Sequence, residues 1–148
     1  MADLELVRRL AGTSHLAVIA TTRDDGSVHA SLVSAGLLDD PVDGTPAVAV
    51  VIIGSARKLR YLRRQGRAAA VFTSGYEWAT VEGPVRIIGP DDTGTGFPAP
   101  QVPDLLRRVF VAAGGAHDDW EEYDRVMAAE RRAAVFIHAA RVSGVGRG

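Results

Sequence analysis

The 148-residue chain has no cysteine. Disulfides, thiol catalysis and cysteine-ligated metal or iron–sulfur sites are thereby excluded, and the reading points to the cytoplasm. Net charge is almost absent as well: 17 basic and 18 acidic residues leave a formal −1. No long-range field gathers nucleic acid or an anionic membrane, so any anion must be caught locally. No apolar run approaches the roughly 20 residues of a membrane-spanning helix. The first residues carry no basic region ahead of an apolar stretch, so no secretory signal is expected. Lysine is scarcest of all, since Lys58 stands alone among arginines. That arginine, alanine, glycine and valine bias suggests a GC-rich genome and singles Lys58 out. With 47% hydrophobic and 24% charged residues, residues 1–148 read as one soluble globular domain large enough to bury its own core.

Several chemistries lack their residues too. The four histidines, His15, His29, His117 and His138, do not pair at metal-ligand spacing, so no metal site is expected. No serine stands in a G-x-S-x-G elbow. Gly94-Thr95-Gly96-Phe97-Pro98-Ala99 fits the relaxed dinucleotide pattern, but Pro98 and Pro100 interrupt the helix that should open there.

What is present reads as strands with few helices. Residues 3–11 repeat Leu4, Val7 and Leu10 at helical spacing, with Asp3 as cap and an end at Gly12. Residues 15–22 and 27–38 flank Asp24-Asp25-Gly26, a hairpin signal. Residues 39–46 are turn chemistry, and 47–53 are apolar and β-branched enough for a buried strand. Residues 55–65 form a short helix ending before Gly66, and 67–74 and 76–89 read as two strands joined around Gly75, the second bent at Gly83-Pro84. A Pro/Gly loop, 91–103, precedes helices over 104–113 and 118–130, the latter with Asp118 and Glu121 spaced as a capping box. A last strand covers 133–143. Six strands, hairpin-linked and without strand–helix alternation, predict a mainly β fold with peripheral helices, a small closed or split barrel.

The basic helix is the most informative element. Arg57, Lys58 and Arg60 fall in its first turns behind Ser55, so cations, free amides and the positive helix end converge in the outline of a phosphate site. A solvated arginine face extended by Arg63, Arg64 and Arg67 is the plainer reading. On the strand after Gly75, alternation puts Tyr76 and Trp78 on one face, where they line a planar ring or simply fill core or a subunit interface. Trp120 and Tyr123 form a lid or only packing. His29 lies on the second strand beside Ala30 and Ser31, where a cofactor has access.

In this order, the hairpin Ala20-Thr21-Thr22-Arg23-Asp24-Asp25-Gly26, the helix from Lys58 to Ala68, the strand Trp78-Ala79-Thr80-Val81-Glu82-Gly83, and Asp118-Asp119-Trp120 with Tyr123 before Arg131-Arg132 resemble one family. It is the flavin/deazaflavin oxidoreductases with the pyridoxamine 5'-phosphate oxidase-like FMN-binding split barrel, especially the small actinobacterial branch dependent on coenzyme F420. The resemblance covers most of the chain. It implies a homodimer with cofactor at the subunit interface, phosphate held by basic residues and the ring against strand backbone. Lys58 and Arg60 fall on the family's lysine and arginine positions, and Arg57 is adjacent. Ser31 and the segment Val51, Ile52 and Ile53 occupy positions near the ring, with Trp78 added as a candidate cofactor contact. Ser55-Ala56 stands where the family usually has a proline before the helix. No catalytic side chain is identified. The implied activity is hydride transfer from reduced coenzyme F420 to a small conjugated substrate. The alternatives are an FMN-dependent oxidoreductase on the same fold, a non-catalytic binder of flavin, deazaflavin or haem, and a dimer with no ligand.

Overall fold

The computed structural model describes residues 3–147. Four helices and eight strands follow in the order α1 (Leu4–Ser14), β1 (Leu16–Thr22), β2 (Val28–Ser34), β3 (Gly36–Leu37), β4 (Ala47–Ile52), α2 (Arg57–Gln65), β5 (Arg67–Ser74), β6 (Glu77–Ile88), α3 (Val102–Ala112), α4 (Trp120–Ala129), β7 (Ala133–His138) and β8 (Arg141–Val145). A 3₁₀ turn, Ala99–Gln101, leads into α3.

The strands form one curled antiparallel sheet in the order β2-β1-β5-β6-β7-β4-β3, with β8 on β6. This is a mainly β split barrel with peripheral helices, as the sequence predicts. β6 serves both halves of the sheet. Residues 78–82 pair with β8, residues 85–88 pair with β7, and β5 runs beside residues 77–84. The bend between the halves falls at Gly83-Pro84, where the backbone of β6 crosses so close to β7 that a Cβ on Gly83 would lie 2.3 Å from the His138 carbonyl oxygen.

The count of eight strands rather than six has two local causes. Residues 27–38 are not continuous: Val28–Ser34 pairs with β1, while Gly36–Leu37 turns away to pair with β4. Gly36 passes so close to α3 that a Cβ would sit 1.9 Å from the Ala112 carbonyl oxygen, so the corner demands glycine. Residues 133–143 split likewise into β7 and β8, which pair with different stretches of β6.

Helix ends shift for equally local reasons. The Asp3 carboxylate accepts the Glu5 and Leu6 amides, but α1 runs through Gly12 to Ser14 and ends on His15, whose left-handed backbone donates its N–H to Ala11. Strand β1 accordingly starts at Leu16. α2 begins at Arg57 behind Ala56, and no side chain caps it; Ser55 does not take that role. The N-cap of α4 is Asp119, one residue later than expected, and accepts the Glu122 amide at 3.1 Å, while its own amide goes to His117 Nδ1, so the expected capping box is not made.

Two apolar clusters sandwich the sheet. One joins Val7, Leu10, Leu59 and Leu62 of α1 and α2 to Ile19 and Phe72. The other joins Leu105, Val109 and Tyr123 of α3 and α4 to Ala49 and Phe136. β4 and β7 lie between the clusters and are buried on both faces, which explains the unbroken apolar run at 47–52. At the end of these strands Asp40, 1% exposed, accepts hydrogen bonds from Arg86 (2.5 Å) and His138 (2.6 Å) and from the Val42 amide (2.8 Å). Burial pushes the Asp40 carboxyl up, but these hydrogen bonds together hold it below the usual range. Among the described residues, no helix is long and apolar enough to cross a membrane.

Candidate functional site

The helix α2 forms because Leu59 and Leu62, three apart, bury one face against the sheet while the arginines stay outside. Its first turn thereby comes to rest over β1 and β2. Lys58 reaches across to β2, and its Nζ donates to Ser31 Oγ at 2.8 Å. The side chain is half-buried. Among the described residues no carboxylate pairs with it, and burial alone lowers its pKa. Desolvating an ammonium without a counter-charge is unfavourable, so the position is one that an anion would stabilise.

The neighbouring cations divide sharply. Arg63 and Arg64, on the later part of α2, are held by Asp92 and Asp24 at 2.8 and 3.1 Å. Arg57 and Arg60, in the first turn, are exposed and make no ion pair among the described residues. The Arg60 guanidinium lies 5.6 Å from the Tyr61 ring centroid, and Arg23 approaches the same ring at 6.0 Å. His29 packs against Tyr61 with ring centroids 5.6 Å apart. Free cations therefore gather at the start of α2, where the uncapped helix end adds its own positive potential.

A cavity of about 500 Å³ is lined by Val33 and Ser34 of β2, Val51 of β4, Phe110, His117 and Tyr123. Ser31 and Val33 share a face of β2, two residues or roughly 7 Å apart. β2 links the two places, with Ser31 under the Lys58 ammonium and Val33 on the cavity wall. His117 Nδ1 accepts the Asp119 amide at 3.0 Å, so the neutral ring carries its proton on Nε2. Tyr123 is buried, donates its hydroxyl to the Leu106 carbonyl at 3.0 Å, and burial pushes its pKa up to about 12. Tyr123 and Trp120 are therefore packing partners of Phe110 and His117, at centroid distances of 4.9 to 6.1 Å.

Of the residues singled out by sequence, Lys58 and Ser31 meet directly, Arg57 and Arg60 flank them, and Val51 faces the cavity. Strand alternation turns Ile52 into the first core cluster, and Ile53 lies half-buried just beyond β4. Trp78 is elsewhere. It pairs with Thr73 and Val145 on the sheet face opposite Ser31, 38% exposed. Tyr76 does not share its strand: it is fully exposed in the two-residue turn between Ser74 and Glu77, behind Gly75 at φ +60°. Around Trp78 the same face exposes Leu16, Val18, Leu32 and Val145. The cavity wall contributed by Val33, Phe110, His117 and Arg132 was not foreseen, because four separate segments supply it and no single motif carries it.

No protein-family model matches the chain. Solved structures do. A conserved hypothetical protein of Mycobacterium tuberculosis superposes with a TM-score of 0.70 and 21% identity, over 97% of this chain and 84% of the other. A pyridoxamine 5'-phosphate oxidase-related, FMN-binding protein of Nostoc punctiforme matches with a TM-score of 0.68 and 13% identity, over 95% and 80%. An F420 reductase matches with a TM-score of 0.59 and 14% identity, over 88% and 90%. Haem-binding proteins also share the architecture. These likenesses establish the fold as the pyridoxamine 5'-phosphate oxidase-like split barrel.

Proposed function

We propose that this chain is an oxidoreductase that uses coenzyme F420, acting as a cytoplasmic homodimer on a small conjugated organic substrate. The observation that carries the reading is Lys58: a half-buried ammonium on Ser31, without a carboxylate partner among the described residues, at the uncapped start of a helix. Both F420 and FMN present a phosphate and a planar ring. The donor set of Lys58, Arg57, Arg60 and free helix amides suits the phosphate. The apolar wall at Val51 and Val33 suits the ring.

When bound, the deazaflavin supplies a hydride to an electron-poor acceptor. The chain's own work is to bind, orient and exclude water. Lys58 and Arg60 fix the phosphate end, Ser31 holds the Lys58 ammonium in place, and Val51 presents an apolar surface to one side of the ring. The His117 Nε2–H lies on the cavity wall as a proton donor to an acceptor oxygen. The exposed face carrying Leu16, Val18, Leu32, Trp78 and Val145 supports self-association, since burying contiguous apolar surface drives it.

An FMN-dependent oxidoreductase is the second reading, favoured by the FMN-binding neighbour of the same fold. Titrating the purified protein with F420 and with FMN at fixed salt, following cofactor fluorescence, separates the two. Tight F420 and weak FMN binding supports the proposal, the reverse selects the flavin reading, and binding of either without turnover of any acceptor identifies a carrier. Binding of neither removes the proposed function.

A further inference from the structure

A second cavity, of about 400 Å³, lies between α3, α4 and the loop that follows β6. It adjoins the cavity at Val33 and Val51, with Arg132 and Met127 lining both, and plays no part in the function proposed above. Its walls are mostly apolar: Pro90 and Phe97 from the loop, Pro103 and Leu106 from α3, Met127 from α4. The Phe97 ring and the stiff rings of Pro90 and Pro103 favour a planar occupant over a flexible chain, because little ordering entropy is lost on either side.

The polar groups at this cavity are unequal. Asp92 is taken by Arg63 at 2.8 Å, and Asp124 by both Nε and Nη2 of Arg107 at 2.9 and 2.6 Å. Arg132 differs. Its Nε donates to Glu130 at 2.8 Å, while among the described residues its two terminal nitrogens have no hydrogen-bond acceptor. That half-used guanidinium fork stands at the edge of an apolar chamber, in the geometry that receives a carboxylate through two parallel N–H bonds. Arg132 and Met127 line both cavities, so a carboxylate held there sits at the shared wall with its ring directed into the smaller chamber.

We propose that this chamber is a binding site for an aromatic carboxylate, anchored by Arg132 and enclosed by Phe97, Pro90, Pro103, Leu106 and Met127. The site recognises one negative charge attached to a flat apolar body.

The test is titration of the full chain with 2-naphthoate, read by the probe's fluorescence and by calorimetry, with 2-naphthamide as the neutral comparator. Two variants accompany it. Arg132→Gln removes the anchor at a half-buried position. Ala128→Trp fills the chamber from an exposed helix position that lines it. The expected result is saturable one-to-one binding of 2-naphthoate, weakened roughly ten-fold in Arg132→Gln and for 2-naphthamide, which is one charge-assisted pair in affinity terms. Ala128→Trp should abolish it while thermal unfolding stays unchanged. Binding should persist with saturating F420 or FMN present, and it should appear even if neither cofactor binds. Displacement by either cofactor, equal affinity for the amide, equal binding to Arg132→Gln, undiminished binding to Ala128→Trp, or no saturable binding each overturns the proposal.

Discussion

Two polar clusters in this molecule are built from similar groups and finished differently. Around Asp40 every charge is met: one buried carboxylate accepts Arg86, His138 and a backbone amide. Around Lys58 the charges share one sign, and the ammonium finds only a serine hydroxyl. A cluster of this kind ties the loop before β4 to β6 and β7, and its buried carboxylate is matched by cations within the chain. The open cluster costs stability as it stands and gains when an anion arrives. Asp40, Asp43 and His138 do bring ligand atoms within 4.8 Å of one another, but the Arg86 guanidinium already supplies the cation.

The comparison breaks most visibly if Asp40 is dispensable. Asp40→Ala leaves Arg86 without its principal counter-charge, and a loss of about 3 kcal/mol is expected in urea unfolding, since breaking a buried pair strands its partner. A loss under 1 kcal/mol would show that the cluster is not structural. Lys58→Ala should do the opposite. Stability stays within about 1 kcal/mol or rises, because a desolvated charge is removed, while affinity for F420 or FMN falls by roughly ten-fold or more, as for one charge-assisted hydrogen bond.

Acid provides a third cut. Because the folded-state pKa of Asp40 is depressed, its contribution is fully present above the ordinary carboxylate range and is lost as pH falls through the lower, folded value. Melting temperatures taken from pH 6 downward should therefore decline more steeply in the parent than in Asp40→Asn, which has no proton to take up. The smallest effect belongs to Trp78. Within one protomer it lies on the face opposite Ser31, so Trp78→Phe should leave cofactor affinity within about two-fold, while weakening self-association measured by sedimentation. A ten-fold loss of cofactor affinity would place the partner's copy of this face at the site.

The split-barrel architecture was legible because hairpin turns, buried β-branched runs and a short basic helix each leave a local signature. The bend at Gly83-Pro84 was legible too, but the two strand breaks were not: Gly36 turns the chain at a contact with Ala112, far away in sequence, and β7 and β8 part because they pair with different stretches of β6. The same division runs through the site. Lys58, a lone lysine at a helix start, announces itself, and Ser31 enters through the family resemblance. Phe110, His117 and Arg132 reach the cavity only through the packing of α3 and α4 on the sheet. Ile52 was grouped with its neighbours by position in the chain, yet the period of two turns it to the opposite side from Val51.

β6 belongs to both halves of the sheet, and that has a kinetic side. Opening either half disturbs the strand that the other half pairs with, since residues 78–82 and 85–88 are one continuous strand. The amide protons of its inner pairs should therefore exchange with solvent only through global unfolding, at matching rates on both sides of Gly83. Motion that admits a ligand is left to the edges: β2, β3 and the loops around α3 and α4.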